Sequence, residues 1–266
     1  MMEGSHSIAG NKPLGKRINL KTELKRLRQN PIEPFLKRIG SDNVFSDEIS
    51  RFHDAYDFYF LSLERHLRGA SLAIRWGNTA YWAKRERRKL SPYEAKINKQ
   101  YNQIAQFLHF DIANCLIHGR ILMDRLAALS HLFLKESELP SFASFYDHKK
   151  FFVKRGDRPY GKHEAYAQYI RSNTAWFDHP LRDVRDKFVV HSTPKHMRLL
   201  SSSDYELHLF VYVAKGKPPK KLAEESEAII VSIPRLADDI ATFLKWFNEY
   251  AMAATETDTD ASATKS

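Results

Sequence analysis

The stretch Lys84-Arg85-Glu86-Arg87-Arg88-Lys89-Leu90-Ser91-Pro92-Tyr93-Glu94 decides the fold. Its first half is rich in cations, which suit a helix end because the last carbonyls there lack partners and carry partial negative charge. Its second half is a helix start. Ser91 and Glu94 have the spacing of a capping box, and Pro92 takes the first helical position, where its missing N–H is no loss. One helix that stops and another that starts within a few residues predict a helical hairpin.

The pattern extends outward on both sides of that turn. Upstream, Ile49, Phe52, Tyr56, Phe60, Leu63, Leu67, Ala70, Ile74 and Tyr81 fall on one helical face. Ser46, followed by Asp47 and Glu48, marks the start, so the first arm is predicted from Ser46 to about Lys89. Gly69 and Gly77 are places for a bend or close packing. Downstream, Ile97, Tyr101, Ile104, Leu108, Ile112, Cys115, Gly119, Leu122, Leu126, Leu129 and Phe133 continue a second stripe. About 40 residues at ~1.5 Å each make a rod of roughly 60 Å. Two such rods leave their stripes exposed unless further helices cover them.

Those further helices are predicted at Phe142 to Val153 and Lys162 to Trp176, with a loop from Arg155 to Gly161 between them. Pro180 opens a short helix to about His191, which Thr193-Pro194 stops. Tyr205 to Val213 is rich in strand formers, and Ala228 to Ile233 is a second apolar run, predicting an inserted β-hairpin at 205–233. A lone strand pair is marginal in water, so it must lean on helices. A closing helix is predicted from Pro234 to Ala253, with Leu236, Ile240, Phe243, Leu244 and Phe247 inward. The expected fold is mainly α, an antiparallel helical bundle built on a long helical hairpin with a small inserted β-hairpin.

Residues 1–40 carry nine basic and three acidic side chains and few apolar ones, which reads as a basic, partly disordered N-terminal arm. Residues 41–254 form the expected helical domain, and 255–266, without periodicity, a disordered tail. The total of 266 residues fits one domain with an arm. Hydrophobic residues at 43% and aromatics at 12% exclude wholesale disorder. Lys plus Arg total 42 against 32 Asp plus Glu, and the resulting net charge of +10 attracts polyanions. A single cysteine, Cys115, excludes an internal disulfide and a Cys-rich zinc site, and its place on the apolar stripe makes it a core thiol. No apolar run reaches bilayer length and no apolar leader follows Met1, so a reducing, cytoplasmic compartment and no membrane partner are expected.

Nucleotide-binding glycine loops, a GxSxG elbow and an HExxH pair are all absent from the sequence. His179, His191 and His196 are the closest histidine grouping, but they lack the i, i+4 spacing that commonly builds a zinc site, so no metal or cofactor is expected. Arg120 and Asp124 share a helix face. They are either a surface ion pair worth ~0.3–0.5 kcal/mol or a groove pair in which Asp124 holds a functional arginine. Arg185 and His191 are separated by five residues, a spacing also met at Arg125 and His131 and nearly met at Arg158 and His163. Context separates the three. Only Arg185 is followed at once by a short acid, Asp186, and only His191 follows an apolar run, Phe188-Val189-Val190, and precedes a chain stop. A histidine closing a helix is favoured when protonated.

The segment Arg185-Asp186-Lys187-Phe188-Val189-Val190-His191 resembles the R-x4–6-H signature of HEPN domains (higher eukaryotes and prokaryotes nucleotide-binding). Arg120-Ile121-Leu122-Met123-Asp124-Arg125-Leu126-Ala127 resembles the second-helix pattern of abortive-infection-type members, and the order of helices over about residues 46–253 is similar too. The resemblance implies a homodimeric, metal-independent endoribonuclease, a toxin or antiviral-defence effector, with an antitoxin or regulatory protein as a further partner. It implies Arg185 as the phosphate-stabilising residue, His191 as acid and base, and Asp186 as their aid. Lys187, Lys195, His196 and Arg198 would track an RNA backbone. Helices longer than a minimal member needs, and the hairpin at 205–233, depart from the family pattern. The same residues admit a non-catalytic helical module that binds a nucleotide, an RNA or a protein, or a structural dimer assembled through the long hairpin.

Overall fold

The capping box forms as its spacing predicts. Ser91 Oγ accepts from the Glu94 N–H at 3.3 Å, and the Glu94 carboxylate accepts from the Ser91 N–H at 2.8 Å. Arg88 then clamps Glu94 from the preceding helix end with two bonds of 2.6 and 2.7 Å. Those bonds, with the Ser91 N–H, hold the Glu94 carboxyl down at about 2. Arg87 makes the reversal with a φ of 53°, the left-handed region a bulky side chain seldom enters.

The computed structural model describes residues 20–40, 45–134, 141–154, 163–183, 185–186, 197–201, 207–211 and 232–263. These are mainly helical: α1 Leu20–Leu27, α2 Glu33–Ile39, α3 Ser46–Arg85, α4 Pro92–Ile104, α5 Leu108–Leu129, α6 Phe145–Lys154, α7 Glu164–Asn173 and α8 Ile233–Ala263. Two strands, β1 Met197–Ser201 and β2 Leu207–Val211, pair antiparallel with Met197 opposite Val211 and Ser201 opposite Leu207. The chain divides into two compact units. One takes Met1–Lys25, Ser62–Cys115 and Val184–Arg235, and the other Arg26–Leu61, Leu116–Asp183 and Leu236–Ser266.

In the first unit, α3 and α4–α5 pair with opposed direction. Arg65 meets Asp111 at 2.7 Å, Gly69 faces Leu108, and Trp76 stacks on Tyr101, so the partner's number falls as that of α3 rises. Gly69 permits this close approach, because a Cβ would lie 2.6 Å from Leu108 Cδ2 and that side chain would have to shift. The predicted second rod is interrupted by the 3-10 turn Ala105–Phe107. Three residues wound at three per turn rotate the following stripe by about 60° relative to an α-helix, and Leu108 lands against Gly69. β2 lies within the predicted first strand, but its partner β1 stands only a short connection away, the cheaper closure for an antiparallel pair. Of the predicted second strand, 228–233, only Ser232 and Ile233 are described, and Ile233 opens α8.

The second unit has an aromatic core. Phe35, Phe133 and Phe247 meet edge to face at 5.2 to 6.2 Å, and Phe145 meets Phe177 at 4.6 Å. Of the predicted arm, 20–40 is described, and there Leu27, Ile32, Phe35 and Leu36 are buried, so this part is packed into the unit, while 1–19 lies outside the described residues. The few apolar side chains there are concentrated at one place, and Pro34 starts α2 instead of breaking it. Tyr56 Oη donates to the Leu27 carbonyl at 2.9 Å, and the Phe35 N–H donates to Asn248 at 3.0 Å. The predicted tail is corrected as well. α8 continues to Ala263, and Arg38 pairs with Glu256 at 3.0 Å. The segment lacks apolar periodicity but also lacks Gly and Pro, so a helix already nucleated upstream can propagate through it.

Candidate functional site

The segment before Arg185 is held by a relay of short contacts. Thr174 ends α7 by donating its hydroxyl to the Ile170 carbonyl at 2.6 Å, and its own carbonyl accepts from the Phe177 N–H. Phe177–Arg182 then forms a wide π-type turn broken at His179, which is extended at φ −140° and ψ 121°. The next residue in the sequence is Pro180, and the α region is disfavoured for a residue that precedes proline. Phe177 and Leu181 are fully buried anchors, and Leu181 rests against Gly119 of α5, where a Cβ would come within 3.2 Å of it. Leu181 thus seats the segment as predicted. Val184 and Phe188, predicted beside it, are outside the described residues.

Arg120 and Asp124 are not a surface pair. The Arg120 side chain is only 8% exposed, its Nε donates to Asp124 at 3.1 Å, and its guanidinium lies over the Phe177 ring at 4.5 Å. The other oxygen of Asp124 accepts from the Phe145 N–H at 2.8 Å, at the start of α6. Asp124 therefore joins α5 to α6, while Arg120 joins α5 to the turn at 177. Removing Asp124 would leave the buried Arg120 charge without its partner, a kind of change that costs up to about 3–5 kcal/mol.

Three residues that the sequence reading missed complete the support. Lys149 is buried, with Nζ donating to the Thr174 carbonyl at 2.7 Å and to Asp178 at 2.5 Å. Asp178 also takes Arg182 at 3.1 Å. Arg182 reaches Asp183 at 3.0 Å and lies over the Tyr146 ring at 4.9 Å. Burial works against the Arg182 charge, but Asp183 and Asp178 outweigh it and hold the group above its ordinary value. A signal for Lys149 was available: it stands four residues after Phe145 and three before Phe152, on the buried stripe of α6.

Arg185 donates to Asp186 through Nε at 2.8 Å and again through Nη2, both bonds going to one carboxylate oxygen. The two side chains are 26% and 35% exposed. The pair thus fixes one edge of the guanidinium while part of both groups still meets water. His191, Lys187, Lys195 and His196 lie outside the described residues, and of Arg198 only the backbone, in β1, is described. Among the described residues no group of three His, Cys, Asp or Glu side chains could hold a metal ion. Cys115 is buried as predicted, and burial pushes its thiol up, out of the reactive range. No helix among the described residues is long and apolar enough to cross a membrane. No family model, no curated protein and no solved structure matches this chain.

Proposed function

We propose that the chain is a HEPN-like, metal-independent endoribonuclease that works as a homodimer and is governed by an antitoxin or regulatory protein, in a cytoplasmic toxin or defence role. The observation that carries this reading is the Arg185–Asp186 pair, in which one carboxylate oxygen holds one edge of a partly exposed guanidinium. A fork of donors held at one edge can grip a phosphate with the other, without first losing side-chain freedom. As a ribose 2′-hydroxyl attacks the adjacent phosphorus, negative charge grows on the non-bridging oxygens, and Arg185 stabilises it. His191 takes the 2′ proton or returns one to the departing 5′ oxygen, leaving a 2′,3′-cyclic phosphate. Lys187, Lys195, His196 and Arg198 supply cations for the flanking phosphates.

The test is labelled RNA incubated with the protein in chelator. Wild type cleaves, and Arg185→Ala or His191→Ala loses about 10²-fold or more in rate while keeping its helical circular dichroism. Undiminished cleavage by both variants would falsify the assignment. A second reading is favoured by the same pair, because an arginine already satisfied by its neighbour also suits a non-catalytic RNA- or nucleotide-binding module. Binding of RNA without cleavage by wild type would establish that reading instead.

A further inference from the structure

The spacing of Arg185 and His191 occurs a second time, at Arg125 and His131, and here both residues are described. Arg125 lies in the last turns of α5, and His131 sits in the 3-10 turn Ser130–Leu132 that follows. Both line one hollow of ≈ 170 Å³, with Glu48 and Arg51 from the start of α3 and with Ser141 and Phe142 ahead of α6. All of these residues belong to the second unit.

Charge pairing distinguishes Arg125 from Arg120, Arg182 and Arg185. Arg120, Arg182 and Arg185 each have a carboxylate partner, whereas Arg125 has no ion pair or hydrogen bond among the described residues. Arg51, the other guanidinium of the hollow, reaches only Asp47 among the described residues, at 3.6 Å and with both side chains exposed, a contact that water and salt largely screen. His131 is oriented: its Nδ1–H donates to the Ala128 carbonyl, so Nε2 is the ring atom left to meet a ligand. Ser141 adds a hydroxyl, and buried Phe142 forms an apolar wall. Among the described lining residues Glu48 is the one carboxylate.

We infer that this hollow binds the phosphate monoester of a small sugar. The forks of Arg125 and Arg51 match phosphate oxygens and the Ser141 hydroxyl adds a donor, while Nε2 of His131, the unprotonated nitrogen of that tautomer, accepts from a sugar hydroxyl. Glu48 would repel a bare dianion but accepts from a sugar hydroxyl. The volume is below the roughly 300–1,000 Å³ that houses drug-sized ligands, which suits a phosphate with its sugar and leaves any larger group outside. This site stands apart from the ribonuclease reading and does not depend on it.

Calorimetric titration of the full chain with ribose 5-phosphate, inorganic phosphate and ribose tests the inference. Ribose 5-phosphate is expected to bind tightest and ribose not at all. Arg125→Ala, a change at an exposed side chain, weakens ribose 5-phosphate by about tenfold or more, and Lys245→Ala, at an exposed cation of α8 outside both sites, leaves it unchanged. Glu48→Ala removes the preference for ribose 5-phosphate over inorganic phosphate. Equal affinity of wild type for both phosphates overturns the sugar ester. No heat with either phosphate, wild-type affinity in Arg125→Ala, or loss of binding in Lys245→Ala overturns the site.

Discussion

His148 has no exposed surface and sits among Phe142, Phe145, Phe152 and Tyr166, with Nε2 3.0 Å from the Tyr166 hydroxyl. Burial pushes it down to about 3, and pushes His66, likewise fully buried, down to about 4. An unfolded histidine titrates near ~6.5. Between those values the unfolded chain takes up protons that the folded chain refuses, so stability is full above that range and falls as pH drops through it. At pH 5 each histidine subtracts about 2 kcal/mol. Urea melts at pH 7 and pH 5 check this, with His148→Leu expected to lose less stability than wild type on acidification. Equal losses in the two proteins would show that His148 is protonated inside the fold. At this same scale, the Arg120–Asp124 spacing was legible in the sequence, but its burial was not. Periodicity shows that two side chains share a face, whereas Phe177 and Phe145, which cover the pair, come from distant positions in the chain.

Among the elements, the hairpin turn was the most legible part. A capping box and a basic helix end act over a few residues, so local sequence suffices to specify them. The interruption of the second rod at Ala105–Phe107 was not legible, because it is matched to Gly69 on the opposing helix. Gly69→Ala measures how tightly those helices meet. Alanine gains about 1 kcal/mol of helix propensity, but its Cβ would press on the buried end of Leu108, and overpacking costs ~1–3 kcal/mol. A net loss of about 1 kcal/mol in a thermal or urea melt is expected. A gain in stability would mean that the two helices can part without loss.

For the whole molecule, the net charge of +10 is the property most relevant to a nucleic-acid partner. If about four cations neutralise phosphates in the proposed complex, RNA affinity should fall on the order of 10²-fold between about 50 and 200 mM salt. Filter binding across that range checks it, and a flat response would remove the electrostatic part of the proposal. The sequence by itself determined the helical class, the position of the hairpin turn, and the helices that begin near Ser46, Pro92 and Phe145. Only the tertiary structure decided that Leu27 to Leu36 belong to the core, that Lys149 and Asp178 brace the turn at 177, and that Arg125 and His131 share a hollow with Arg51. The division has a physical cause. Caps and stripes are set by neighbours a few residues away, whereas burial and ion pairing depend on which distant surfaces the packed chain brings together.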